Sequence, residues 1–320
     1  MTDALTLVAD IGGTNTRLAL ARGAEVLPDS LRRHANADFP DLGAVLRAYL
    51  AEAGHPELRG ACAALAGPVQ DGAGQMTNLD WEITEAGLSA ALGGVPARLL
   101  NDLQAQGHAL DRLAPWTLQP VLHSDRRAQP DSPRLVIGIG TGFNAAAVHR
   151  TRAGRLVTAS ECGHITLPTP TDADRRLADH LTRTEGFASV EEALSGRGLG
   201  HIDAWLAAET GGPPPRDAPG VMAALAEGEP RAETAAATFV RLLGTVAGDL
   251  ALVHLPFGGI FLIGGMARAL TPHLARFGLA EAFRAKGRFA PLMAGFPLAV
   301  VEDDYAALTG CAAFLAEDGA

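Results

Sequence analysis

The feature that most constrains this chain is a strand–glycine turn–strand unit that occurs twice, about one domain apart. Leu5–Asp10 is a β-rich apolar run, Gly12-Gly13 turns the chain, and Arg17–Ala21 resumes the apolar pattern. Leu135–Gly140 does the same: an apolar run, the turn Gly140-Thr141-Gly142, then Ala145–Val148 as a second strand. Only glycines, a threonine and an asparagine recur between Val8–Leu20 and Val136–Val148, so the internal repeat is faint. A third variant falls at Gly259–Leu270, where strand Ile260–Ile263 meets Gly264-Gly265 and a helix begins.

Other elements fit around these turns. Asp41–Gly54 carries apolar residues at helical spacing and ends at a glycine, as helices often do. Ala61–Ala66 reads as a short buried strand closed by Gly67-Pro68, and Ala97–Leu100 as another, with Asn101-Asp102 at its carboxyl end and helical character from Leu103 to Leu110. Gly211–Gly220, with four prolines, is a loop, and Tyr305–Leu315 is a terminal helix. At roughly 100–200 residues per domain, 320 residues suggest two domains.

Charge and composition remove several function classes. Lys+Arg 26 against Asp+Glu 36 leaves a net charge of −10, a field that repels phosphate backbones and anionic lipids. Neither nucleic acid nor membrane is expected as a partner. The chain's one lysine, Lys286, is followed by Gly287, so neither a Walker P-loop nor a protein-kinase lysine is present. Leu250–Ala267 is uncharged and apolar, but His254, Pro256 and four glycines make it a helix end, a loop and a buried strand. The first residues lack the basic region of a signal peptide, and Cys62, Cys162 and Cys311 form no CxxC pair. They read as reduced thiols, which gives a cytoplasmic expectation.

Each candidate site supports two readings on its own. Asp10-Ile11-Gly12-Gly13-Thr14-Asn15-Thr16 is either a hairpin whose turn needs positive φ, or a phosphate cradle. In the second case glycine N–H groups point inward, Thr14 and Thr16 add hydroxyls, and Asp10 holds Mg²⁺ through its water shell. The second turn is no dinucleotide fingerprint, because Phe143–Val148 continues as a strand where that fingerprint requires a helix. Gly264-Gly265 either lets an adenosine lie on the backbone or forms a tight corner. Asp102 either caps the helix that starts at Leu103 or acts as general base toward a hydroxyl, with Asn101 holding a neighbouring one. Glu161 and His164 suit vicinal sugar hydroxyls better than a metal, and Glu191 alone reads as a surface glutamate.

Taken together, the three turns resemble the actin-like ATPase superfamily. The ordered set also includes Met76-Thr77-Asn78, Asn101-Asp102, Glu161-x-Gly163-His164, Glu191-x-x-Leu194-Ser195-Gly196-x-Gly198-Leu199 and Gly258-Gly259-x-Phe261-x-x-Gly264-Gly265. In that order these motifs resemble the bacterial glucokinases of the group without the repressor-type zinc motif; Ile165–Arg175 contains no cysteine. The resemblance implies a two-domain actin-like (ribonuclease H-like) α/β fold with mixed sheets and an interdomain cleft. It implies a small domain at 1–104 rejoined by helix 305–320, a large domain at 105–304, and a homodimer.

It further implies ATP-dependent phosphorylation of the glucose 6-hydroxyl. Asp102 would be the base, and Asn78, Asn101, Glu161, His164 and Glu191 the sugar ligands. Asp10, Gly12, Gly13, Thr14, Asn15, Gly140, Thr141 and Gly142 would surround Mg-ATP, with Gly264 and Gly265 near the adenosine. The rivals are a kinase of fructose, mannose or an N-acetylhexosamine, and a non-catalytic sugar sensor. Two positions depart from the family pattern. Phe143-Asn144 stands where the family has Leu-Gly, so that Asn144 either bonds a phosphate or narrows the turn, and Cys162 replaces a glycine beside the sugar ligands.

Overall fold

A computed structural model describes residues 4–76, 81–152 and 154–318. The chain forms two compact units, one of Met1–Ala114, Arg152–Ala159 and Asp303–Ala320, the other of Pro115–Thr151 and Ser160–Glu302.

The first unit is built on β1 (Leu5–Ile11), β2 (Asn15–Arg22), β3 (Glu25–Val26), β4 (Arg32–Ala35), β5 (Leu58–Leu65) and β9 (Ala97–Asn101). Their order is β3-β2-β1-β5-β9, with β4 also on β2; β1 pairs β2 antiparallel but β5 in parallel, and β5 pairs β9 in parallel. β1 is apolar along most of its length because helices cover both faces of the sheet, so alternate residues enter different cores. Leu7, Ala9 and Ile11 join Val45, Leu46 and Tyr49 of α1 (Leu42–Glu52) and Leu88 of α2 (Glu85–Ala91). On the other face, Val8, Cys62 and Ala64 meet Ala105 of α3 (Asp102–Ala109) and Leu308, Cys311 and Ala312 of α12 (Ala306–Asp318). A separate small sheet holds β6 (Val69–Gln70), β7 (Ala73–Gln75) and β8 (Glu82–Thr84).

The chain returns to this unit in β13 (Gly154–Thr158) as well as in α12. A boundary at residue 104 would cut α3, and the structure instead divides the chain after Ala114. Arg155 explains why the β13 segment belongs here: its guanidinium bonds the His108 carbonyl and pairs with Asp111 and, at 3.4 Å, with Glu317.

The second unit repeats the arrangement. β11 (Arg134–Ile139) pairs antiparallel with β12 (Phe143–Thr151) and in parallel with β14 (Ile260–Ile263), which pairs in parallel with β15 (Leu298–Val301); β10 (Leu118–Leu122) closes the edge. The path β2-β1-β5-β9 therefore has its counterpart in β12-β11-β14-β15. The faint sequence repeat is a repeated topology. Helices α4 (Asp172–Glu185), α5 (Val190–Ala193), α6 (Gly196–Thr210), α7 (Ala218–Ala226), α8 (Pro230–His254), α9 (Gly265–Leu274), α10 (Leu279–Arg284) and α11 (Ala290–Met293) complete the unit. α8 is long and apolar enough to cross a membrane by length and composition, but Phe239, Leu242, Leu243 and Val246 bury it in the core of this unit. It ends at His254, and a loop leads to β14, as the prolines and glycines of that stretch suggested.

Candidate active site

In the first unit, the turn after β1 and the end of β9 lie along one edge of the sheet. Ile11 pairs with Leu65, and Leu65 with Asn101, so three parallel strands present their carboxyl ends side by side. Open α/β sheets bind ligands at such an edge. Asp10 stands one residue before the turn, opposite Arg17 across the hairpin, and their side chains pair at 2.9 Å. Burial pushes the Asp10 carboxyl above the usual carboxylate range, and the Arg17 guanidinium offsets only part of that cost. A second cation beside it would therefore be favoured.

The turn itself is held from inside. Gly12 N–H donates to the Asn15 carbonyl at 3.0 Å, while buried Asn36 donates from Nδ2 to the Gly12 carbonyl at 2.7 Å and from its main chain to the Thr14 carbonyl at 2.9 Å. Thr16 spends its hydroxyl on Asn36 at 2.8 Å and is buried, so of the two threonines only Thr14 is exposed to a ligand. No local motif marks Asn36. It reaches the turn across 24 residues of chain.

At the end of β9 the cap of α3 is Asn101, not Asp102. Asn101 Oδ1 accepts the Leu103 N–H at 3.0 Å, and Gln104 closes a capping box on the Asn101 N–H at 3.1 Å. Asn101 Nδ2 donates to the Gly67 carbonyl at 3.0 Å, which occupies one of its two amide hydrogens. Asp102 is half-buried at the first helical position, where its Oδ1 also accepts the Leu103 N–H at 2.8 Å and the helix dipole favours a negative charge. Asn78 lies outside the described residues.

In the second unit the turn Gly140–Gly142 closes with Gly140 N–H on the Gly142 carbonyl at 2.9 Å, and Thr141 is exposed. Glu191 is no idle surface residue. Its Oε2 accepts the Phe143 N–H at 2.8 Å, just past the turn, and its Oε1 accepts from Arg197 at 3.1 Å. A β-carbon on Gly142 would stand 2.5 Å from that Oε2, so glycine is needed for the carboxylate to come so close. Glu161 is the N-cap residue of a single turn of 3-10 helix, Cys162–His164, and His164 is its last residue; both are exposed. Gly163 packs against the Phe143 carbonyl, where a β-carbon would approach to 2.0 Å. The Cys162 side chain turns toward the core, and burial pushes its thiol upward.

Beside Gly140 and Thr141 opens a cavity of about 840 Å³, bounded by the starts of α6 and α9 and by Pro215–Pro219 ahead of and in α7. Gly264 makes this corner possible. Its φ of +107° is open to glycine, and a β-carbon would lie 2.3 Å from the Ile139 carbonyl. α9 has no side-chain cap, whereas the start of α6 is capped by Ser195, whose Oγ accepts the Gly198 N–H at 3.0 Å, and its Gly196 N–H is spent on the Gly140 carbonyl at 2.7 Å. The uncapped start of α9 and a glycine turn suit phosphates, while Ala204, Ala218, Pro219 and Met266 offer apolar surface for a base.

A repeated sheet with hairpin turns at its ligand edge defines a protein of the actin-like ATPase fold, the fold of sugar kinases. Residues 7–318 match the Glucokinase family, and the chain belongs to that family. A glucokinase of Stenotrophomonas maltophilia is 34% identical, over 97% of this chain and 95% of its own. The crystal structure of a glucokinase from an Antarctic psychrotroph is 31% identical, with TM-score 0.87 over 98% of this chain and 99% of that one. A ROK family glucokinase of Streptomyces griseus, solved with glucose and AMPPNP, shares the fold at 21% identity and TM-score 0.65, covering 99% of this chain and 100% of that one.

Proposed function

We propose that this chain transfers the γ-phosphoryl group of ATP to the 6-hydroxyl of glucose. The observation that carries the reading is that Asp102, half-buried at the first position of α3, stands at the same sheet edge as the glycine turn after β1. As the sugar oxygen attacks phosphorus, its proton passes to Asp102, the bond from phosphorus to the bridging oxygen breaks, and ADP leaves. General-base assistance of this kind contributes on the order of 10²–10⁴ in rate. Glu161, His164 and Glu191 supply acceptors for the other hydroxyls, and Asn101 and Asn78 complete the set. The turns at Gly12–Asn15 and Gly140–Gly142 take the phosphates, and the cavity at Gly264 and Gly265 takes the adenosine. Glucose and an ATP analogue in a protein of the same fold support this substrate pair.

Asp10 suits Mg²⁺. Its desolvated carboxylate is short of positive charge, and Mg²⁺ needs one or two carboxylates besides water and substrate phosphates. When bound, the ion neutralises charge on the phosphate oxygens. A cytoplasmic location fits the three free thiols. A homodimer would cover large apolar side chains that stand in the open, Trp116 at 86% exposure and Val253 at 71%.

ADP release measured with glucose, fructose, mannose and N-acetylglucosamine in turn tests the assignment. Glucose is expected to give the highest kcat/KM; a higher value for another hexose replaces the substrate, and calorimetric glucose binding without ADP release makes the chain a sensor. Asp102→Asn is expected to lose two to four orders of magnitude in kcat while glucose still binds, and turnover within a few-fold of wild type rejects Asp102 as the base.

A further inference from the structure

We propose that Asn144 is a positioning residue that holds Glu161 in its sugar-binding orientation; this rests on Glu161 being a sugar ligand. Asn144 is the second residue of β12, just after the phosphate turn, and its side chain turns to the segment carrying Glu161. Its Oδ1 accepts the Cys162 N–H at 3.2 Å, the Ser160 hydroxyl at 3.1 Å and its neighbour Ala145 N–H at 2.8 Å. Its Nδ2 donates to the Ser160 carbonyl and, at 3.2 Å, to Glu161 Oε2. One amide thus grips three successive residues, 160 to 162.

The donor count decides what Asn144 does. An amide nitrogen carries two hydrogens, and both are spent, one on Ser160 and one on Glu161. None remains for a phosphate, which disposes of the nucleotide role that its place beside the turn suggested. The bond to Glu161 has a specific use. Glu161 is exposed, and an exposed glutamate gives up much rotamer freedom when a ligand orders it. A neutral amide fixes one carboxylate oxygen in advance without neutralising the charge, leaving Oε1 as a strong acceptor for sugar hydroxyls. Glu191, by contrast, is held by a guanidinium.

Steady-state kinetics of Asn144→Gly, Asn144→Asp, Glu161→Gln and the Asn144→Gly/Glu161→Gln double variant test this, with melting temperatures alongside. Asn144→Gly is expected to raise the glucose KM about ten-fold, with kcat within about two-fold and the ATP KM unchanged. Asn144→Asp keeps the Oδ1 contacts but replaces the donor with a second carboxylate that repels Glu161, so its glucose KM should rise at least as much as that of Asn144→Gly. In the Glu161→Gln background the glycine substitution should add little. A raised ATP KM, or an undiminished ten-fold effect in that background, overturns the positioning role and leaves Glu161 as a ligand. An unchanged glucose KM in Glu161→Gln alone removes the ligand assignment and this inference together.

Discussion

Gly310 of α12 lies so close to α3 that an added β-carbon would stand 1.7 Å from the carbonyl oxygen of Ala105. Ala105 is three residues after Asp102 in the same short helix, so the terminal helix sets the height of the proposed base. Gly310→Val must push the two helices apart. Overpacking typically costs about 1–3 kcal/mol, and a shift of about 1 Å in a reacting group can cost on the order of 10² in rate. The expected result is a lower melting temperature with kcat reduced at least ten-fold. A variant that melts lower but keeps full kcat shows that α12 stabilises the unit without placing Asp102.

At Gly142 the proposed phosphate turn and the proposed sugar ligand Glu191 come within contact of each other. A methyl group there would fall 2.5 Å from Glu191 Oε2 and displace the bond that this oxygen accepts from Phe143. Gly142→Ala is therefore expected to raise the KM for glucose as well as for ATP, each by about ten-fold or more. Glu191→Gln leaves the turn intact and should raise the glucose KM alone. Equal effects on ATP from both variants would mean that Glu191 acts only as a brace for the turn.

What the sequence made legible was whatever the backbone itself demands. A chain that must bend sharply or let another group come close shows glycine at that place, which holds at Gly264 and Gly142, whereas Gly140 has an ordinary φ and open space around it. Asn36, by contrast, braces the first turn across 24 residues, and Asn144 grips a segment 16 to 18 residues on. Asparagine has many uses, and only the fold selects among them. The cap of α3 shows the same limit on a smaller scale: Asn101 and Asp102 are both good capping residues, and the φ of −65° and ψ of 150° at Asn101 decide between them. The return of Arg152–Ala159 to the first unit was illegible because it depends on Arg155 finding His108 and Asp111.

His108 gives the fold an acid-side weakness. It is buried in α3 edge-on to Phe314, with ring centroids 5.0 Å apart, and burial followed by the Arg155 charge pushes its imidazole down to about 4. The unfolded chain titrates near its ordinary value of 6.5. Between those values the unfolded state binds a proton that the folded state does not, so stability falls as pH drops through that window. At about 1.4 kcal/mol per unit the loss is at most on the order of 3 kcal/mol. Thermal melts from pH 7.5 to 4.5 should show it, and His108→Phe, which keeps the aromatic contact, should flatten the slope. An equal slope in the variant assigns the acid sensitivity to other groups.

The cavity of the second unit offers a way to separate nucleotide from sugar. Ala204 lies on α6 one turn beyond Gly200, and both line the space that opens beside Gly140 and Thr141. Its side chain is small and half-buried, so a larger residue there projects into the space and not into the core. Glu161, His164 and Glu191 are absent from that lining, which means that filling it leaves the proposed sugar ligands in place. Ala204→Trp is expected to raise the ATP KM at least ten-fold, while calorimetric glucose binding in the absence of nucleotide stays within two-fold of wild type. Since kcat at saturating ATP reports chemistry after binding, it should change little once nucleotide is forced in. Normal ATP affinity in this variant would place the adenosine elsewhere and leave the glycine corner at Gly264 as a packing requirement alone, set by its approach to the Ile139 carbonyl.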